Sequence, residues 1–143
     1  MKVESIGKLF ALGAMMGLVA IAPVRADDDE ETPLGEQMGD VSGALKGLRK
    51  APDFAAKAEL ARKGQTAVIN SLKYLPVMFE GMKDEKEKTK ATADYKRMMG
   101  QALMLFAELE LAFLEEDEDK ADEIVDKLKD LKKEGHNAYV EDE

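Results

Sequence analysis

The spacing of apolar residues constrains the fold of this chain more than any other feature. From residue 33 onward, apolar side chains recur every three or four residues, and no stretch alternates between apolar and polar in the manner of a strand. That periodicity predicts amphipathic helices that pack through one face. The first such seam consists of Leu34, Met38, Val41, Leu45 and Leu48.

Capping residues and prolines mark the ends of the first two predicted helices. Thr32 is a suitable N-cap with Pro33 at the first helical position, and Pro52 ends the first helix. Asp53 can cap the second helix, and Pro76 breaks or kinks it.

The third and fourth predicted helices follow a charged stretch. Residues 83–90 are rich in lysine and glutamate and are predicted to form a loop or a frayed turn. A helix from about Ala93 to Leu114 has the widest apolar face and is expected to be the most buried. The acidic turn 115–119 suits the positive end of a fourth helix. The seam of that helix is Ala121, Ile124, Leu128, Leu131 and Gly135.

Short connections between four helices favour one architecture. We predict an all-α fold for residues 33–143, an antiparallel up-down-up-down four-helix bundle of left-handed twist.

The N-terminal region has the features of an export signal. Residues 1–26 have a basic start, an apolar centre and a small-x-small ending at Ala26, which predicts a secretory signal peptide. The alternative is an uncleaved membrane anchor. An acidic segment, 27–32, follows the signal. We therefore expect a periplasmic protein without stable membrane insertion after cleavage.

Composition excludes several classes of function. The chain has no cysteine, which rules out disulfides, a lipoprotein anchor and the CxxCH attachment of a c-type haem. Its net charge of −9 disfavours nucleic acid and anionic lipid as partners. No phosphate-binding loop, zinc-protease motif or nucleophile–base pair is present. An enzyme is therefore not predicted.

The predicted topology brings the single histidine to the level of a seam methionine. His136 lies near the end of the fourth helix and Met38 near the start of the first, and these positions share one end of an antiparallel bundle. A neutral imidazole and a thioether facing each other form a pair of axial iron ligands. Considered singly, Met38 could be core filling and His136 a surface residue. Gly35, Gly39 and Gly135 are expected to give clearance for a flat macrocycle or, alternatively, to allow close packing between helices.

Two short stretches resemble the cytochrome b562 family of periplasmic four-helix haem proteins. The stretch PLGEQMGDVSGALK (33–46) looks like the first helix of the family, and KKEGHNAY (132–139) keeps its His-x-x-Tyr ending. The resemblance covers about residues 30–141. It implies one non-covalent haem b, Met38 and His136 as axial ligands, and transfer of single electrons to an unidentified redox partner. Tyr95 falls where the family has an aromatic haem contact, and Met99 replaces a second aromatic.

Two other functions remain open from the sequence. The first is a haem-free periplasmic interaction or stress protein, which the acidic surface and the wide apolar face of the third helix suit. The second is a copper carrier, because Met78 and Met82 would be one helical turn apart if that region is helical, and thioethers suit Cu(I). The chain is expected to be a monomer or a weak dimer.

Overall fold

A computed structural model describes residues 32–139 of the 143-residue chain. The predicted signal peptide (1–26) and most of the acidic segment (27–32) lie outside the described residues. Residues 32–139 contain four α-helices, one short 3-10 helix and no strand. The elements are α1 (Pro33–Gly47), α2 (Phe54–Ser71), the 3-10 helix (Val77–Gly81), α3 (Glu85–Leu114) and α4 (Glu118–Tyr139). The prediction of an all-α fold is confirmed.

The first two helices begin where their capping residues predicted. The Thr32 hydroxyl accepts a hydrogen bond from the Gly35 amide at 2.9 Å, with proline at the start of α1. The Asp53 carboxylate accepts one from the Ala56 amide at 2.8 Å. Each bond satisfies one of the amides that a helix leaves unpaired in its first turn.

The third helix begins earlier than the apolar pattern predicted. Residues 85–90, expected to be a loop or frayed turn, form the first turns of α3. The Asp84 carboxylate caps this end by accepting hydrogen bonds from the amides of Lys86 and Glu87 at 2.8 and 3.1 Å. Lysine and glutamate are good helix formers, and acids in the first turn suit the helix dipole. The prediction was wrong because it relied on apolar periodicity, which a solvated helical extension does not need.

The core is built from all four α-helices, with Val41 as the contribution of α1. Leu109 and Ile124 are fully buried, and Val68 and Phe106 are 1% exposed. As expected, α3 contributes a long series of buried residues. Its apolar face is narrower than predicted, however, because Met104, Leu111 and Leu114 are more than half exposed.

The helices pack extensively in chain order. The well-packed pairs are α1 with α2, α2 with α3, and α3 with α4. Among the described residues, α1 and α4 do not form an extensive contact. The molecule therefore has one side on which the first and last helices are not sealed against each other. No helix of the described part has the length and apolarity needed to cross a bilayer.

Candidate functional site

Met38 reaches from α1 to the end of α2. Its side chain is half-buried, and its sulfur lies 3.7 Å from the hydroxyl oxygen of Ser71. The same hydroxyl lies 2.8 Å from the carbonyl oxygen of Ala67. Because the single hydroxyl proton goes to the closer and stronger acceptor, the Met38 thioether keeps its lone pairs free. The sulfur can therefore act as a ligand without breaking a strong hydrogen bond.

Ser71 also connects α2 to α3. Its carbonyl oxygen accepts a hydrogen bond from the Tyr95 hydroxyl at 3.1 Å. Tyr95 is 3% exposed, and burial raises the pKa of its hydroxyl to about 12. The hydroxyl therefore stays protonated and keeps donating at physiological pH.

Three aromatic rings continue the contact from α3 to α4. The rings of Phe79, Tyr95 and Tyr139 meet edge to face in all three pairings, with centroids 6.3, 5.4 and 6.1 Å apart. Such T-shaped pairs match the positive edge of one ring with the negative face of another. The cluster fixes the 3-10 helix, α3 and the last turn of α4 relative to one another.

The hydroxyl of Tyr139 is anchored to α3. It donates a short hydrogen bond to the Asp94 carboxylate and lies 3.5 Å from the carbonyl oxygen of Ala91. The hydrogen bond from Tyr139, followed by that from Arg97, lowers the pKa of Asp94. Desolvation and the hydrogen bond to Asp94 raise the pKa of Tyr139 to about 12. Both shifts favour a neutral phenol donating to a charged carboxylate.

These contacts form a continuous series from Met38 to the last turn of α4. Met38 touches Ser71, Ser71 accepts from Tyr95, and Tyr95 packs on Tyr139. His136 precedes Tyr139 by less than one helical turn. The backbone positions of Met38 and His136 therefore belong to the same end of the helices.

The His136 side chain is exposed and is not part of this series of contacts. It lies in a shallow depression on α4 with Lys129, Lys132 and Lys133. Its neighbours show where α3 lies, since Glu134 is 3.8 Å from Arg97 of α3. His136 lies about 160° from Glu134 around the helix in the shorter direction. Tyr139 and Gly135, which also meet α3, lie only about 60° and 100° from His136, so the imidazole is at the edge of the α3-facing side of α4.

Met38 has a similar position on α1. Gly47 faces α2, because a Cβ atom built on it would lie 3.2 Å from the Leu60 side chain. Met38 lies nine residues earlier, which places it about 180° around the helix. Met38 nevertheless lies only about 60° from the buried Val41 and contacts Ser71 of α2, so it is at the edge of the packed face of α1. An imidazole and a thioether are a donor set that suits a haem iron, and packing between α1 and α4 is sparse.

The other two predicted binding residues have distinct environments. Tyr95 is buried in the aromatic cluster, with its hydroxyl used by Ser71. Met99 is half-buried and packs against the core from α3. Their roles as haem contacts stay predictions.

The glycines predicted to give clearance behave differently. Nothing lies within 4 Å of a Cβ atom built on Gly39, so the space there is open. A Cβ atom built on Gly135 would instead lie 3.3 Å from Met98 Cε of α3. At Gly135 the structure therefore favours the alternative of close helix packing, because this glycine allows α4 to approach α3.

The geometric premise of the copper carrier is not met. Met78 lies in the 3-10 helix, and Met82 is its C-terminal cap in extended conformation. A 3-10 helix has three residues per turn, so side chains four positions apart do not share a face. Across the described residues, no group of three or more histidine, cysteine or acidic side chains is arranged around a metal position.

Sequence reasoning missed two residues that organise this end of the molecule. Ser71 is a polar residue at a seam position, three after Val68, and that placement was an available signal. Asp94 had no comparable signal, because its role depends on Tyr139 arriving from a distant helix.

No protein-family model, curated protein or solved structure matches the chain.

Removing the Tyr139 hydroxyl should loosen the last turn of α4. Tyr139→Phe keeps the ring cluster but loses the hydrogen bond to Asp94. We expect amide hydrogen exchange in residues 134–139 to rise about fivefold, because one hydrogen bond contributes roughly 1 kcal/mol. Exchange followed by mass spectrometry measures this directly.

At acid pH the difference in hydrogen exchange between the original protein and Tyr139→Phe should disappear. The pKa of Asp94 is lowered in the folded state. Its contribution to stability is therefore fully present at pH values above the pKa of the unfolded state, and it is lost as the pH falls through the pKa of the folded state. Tyr74→Phe is the control, since Tyr74 is 39% exposed and outside the ring cluster. Equal exchange in both variants near pH 7 would show that the Asp94 contact does not hold the turn.

Proposed function

We propose that this protein is an exported b-type cytochrome that carries single electrons. In this proposal the four helices form an antiparallel, left-handed up-down bundle, and one haem lies between α1 and α4. Met38 and His136 are its axial ligands, and Tyr95 and Met99 line the pocket. The observation that carries the proposal is the contact series from Met38 through Ser71 and Tyr95 to Tyr139, which sets both ligands at one end.

The packing pattern supports the location between α1 and α4. Every pair of consecutive α-helices is well packed, so a large planar ligand would have to displace an existing interface there. The α1–α4 side offers no such obstacle. Met38 and His136 lie at the edges of the packed faces of α1 and α4, from which we propose that they reach the haem.

Each ligand residue has a defined task. His136 supplies an imidazole nitrogen, and Met38 supplies a soft sulfur that favours the reduced metal. A bound haem supplies a reversible one-electron iron couple, and Met/His ligation raises its potential. Two protein ligands leave no open coordination position, which suits electron transfer rather than catalysis.

The rest of the site keeps the ligands in place. The Tyr139 hydrogen bond to Asp94 and the aromatic cluster fix the turn that carries His136. Ser71 supports Met38 from the core side while directing its proton to Ala67. Because these contacts do not depend on the charge of a metal, they should hold both ligands at similar positions in either oxidation state.

The visible spectrum tests the assignment, and Met38→Ala sharpens it. The purified protein, supplied with haem and reduced with dithionite, should show the sharp bands of a six-coordinate low-spin haem. Met38→Ala should retain haem but become five-coordinate or water-ligated, with about a tenfold loss of affinity or less. Absorption spectroscopy and haem titration give both readouts.

Met104→Ala is the matched control, because Met104 is 54% exposed on the outer side of α3. It should leave the spectrum unchanged. An unchanged spectrum in Met38→Ala as well would remove Met38 as a ligand, and the absence of any Soret band after haem addition would remove the function.

A second candidate is a haem-free interaction protein. Met104, Leu111 and Leu114 are spaced seven and three residues apart on α3, and all three are more than half exposed. Residues at these spacings form one stripe on a helix, and an exposed apolar stripe is typical of a protein-binding surface. A protein that lacks a Soret band after haem addition, and whose Leu111→Lys variant loses a partner, would favour this function.

A further inference from the structure

An open groove separates the outer sides of α1 and α2. It has a volume of about 620 Å³, and its α1 wall includes Gly39, Asp40 and Gly43. A Cβ atom built on Gly39 or Gly43 would meet nothing within 4 Å. Packing inside the chain therefore gives no reason for these two glycines, although each weakens a helix by about 0.5–1 kcal/mol relative to alanine.

The charges on this side of α1 follow a symmetric order around Gly43. Asp40 lies three residues before Gly43 and Lys46 three after it, while Glu36 lies seven before and Lys50 seven after. Within α1 these offsets place Glu36, Asp40 and Lys46 on one face around Gly43, and Lys50 follows in the turn after the helix ends at Gly47. The order is acid, acid, glycine, base, base.

These four charged residues are exposed and unneutralised. None of Glu36, Asp40, Lys46 and Lys50 takes part in an ion pair within residues 32–139, whereas α2, α3 and α4 carry all the ion pairs of that region. A face with its charges unpaired and arranged in two opposite halves is complementary to its own copy turned by 180°.

We propose that two copies of this chain associate through this face of α1, antiparallel, about a twofold axis at Gly43. A twofold interface uses the same patch on both subunits, so the patch must be self-complementary. Asp40 then lies opposite Lys46 of the second copy, and Glu36 lies opposite Lys50. The glycines let the two backbones approach without side chains between them.

The order of charges on this face of α1 favours a second copy of the chain over other binding partners. A strongly basic or strongly acidic partner would meet one favourable half of this face and one repulsive half. Met38 lies about 140° around the helix from Gly43, so the association leaves the proposed haem side free. The inference is therefore independent of haem binding.

The association should be weak and should depend on salt. Exposed ion pairs contribute little each, and a net charge of −9 repels the two copies. Near physiological ionic strength the screening length is about 8 Å. Salt therefore weakens the long-range repulsion between the net charges of the two copies more than it weakens the attraction between opposite charges in contact across the interface.

Two opposite charge reversals test the arrangement. In D40K, bases face bases across the axis, and in K46D acids face acids. Each variant should dimerise at least about tenfold more weakly than the original protein, because both central Asp40–Lys46 pairs become repulsive. An equimolar mixture of D40K and K46D should form a mixed dimer, since each variant restores the opposite charge to the other.

Sedimentation equilibrium measures all of these states on the purified protein, with or without haem. Asp122→Lys and Lys96→Asp are controls that make the same net charge changes at exposed positions away from the groove. They should leave the dimer affinity within about twofold of the original. The double variant D40K/K46D should self-associate like the original protein.

Four results would overturn the proposal. The first is a protein that stays monomeric up to about 1 mM. The second is a failure of the D40K and K46D mixture to associate. The third is an equal loss of affinity in the control variants, which would trace association to net charge alone. Growth beyond a dimer would also contradict a closed twofold interface.

Discussion

Replacing His136 with alanine should weaken haem retention by at least about 100-fold, or 2.7 kcal/mol. The imidazole is the stronger of the two proposed ligands, and a thioether alone does not hold the iron in both oxidation states. His136 is exposed and outside the core, so its loss should change the stability of the haem-free protein by less than about 0.5 kcal/mol. A large functional effect with an unchanged fold distinguishes a ligand from a structural residue.

Haem titration and thermal unfolding of the haem-free protein measure the two effects separately. Free imidazole should partly restore the low-spin spectrum of His136→Ala, because it can occupy the position that the side chain leaves. Asn137→Ala is the control, since Asn137 is also exposed and adjacent on α4. If His136→Ala bound haem as tightly as Asn137→Ala, the ligand assignment would fail.

Features that depend on neighbouring residues could be predicted from the sequence. The caps at Thr32 and Asp53 are local hydrogen bonds, so residue type and position were sufficient. The start of α3 was missed although Asp84 is an equally local signal. The exposed first turns of α3 carry no apolar periodicity, so only the cap marks where this helix begins.

Features that depend on packing between helices were predictable only in part. The apolar face of α3 was identified, but the sequence does not show which side of a wide face meets the core. Met104 and Leu111 therefore remained indistinguishable from Leu105 and Leu109 until the packing was known. Gly135 gave a similar ambiguity, because a missing side chain makes room equally well for a ligand or for a neighbouring helix.

The position of the proposed site follows from the same packing. Consecutive helices bury their shared faces, which leaves the α1–α4 side as the place where residues are least committed to the core. We propose that Met38 and His136 border that side, whereas Tyr95 and Tyr139 hold α2, α3 and α4 together. A ligand bound there would close the bundle, so haem should also stabilise the fold, by about 2.7 kcal/mol at 100 times its dissociation constant.

Substituting alanine for Gly64 should destabilise the protein by about 1–3 kcal/mol, although alanine is the better helix former. A Cβ atom at this position in α2 would lie 2.4 Å from Cε1 and 2.5 Å from Cδ1 of Phe106. Phe106 is 1% exposed, so its ring cannot move away without disturbing the core. Urea unfolding measures the loss.

Gly100→Ala provides the opposite expectation. Gly100 also lies inside a helix, but nothing is within 4 Å of its built Cβ atom. Its substitution should stabilise the protein by about 0.5–1 kcal/mol through helix propensity alone.

The smaller side chain of Phe106→Leu should reduce the cost of Gly64→Ala, because the two substitutions act on one contact. Equal and favourable effects at Gly64 and Gly100 would show that α2 and α3 are not as close at Phe106 as described, and would place the whole core arrangement in question.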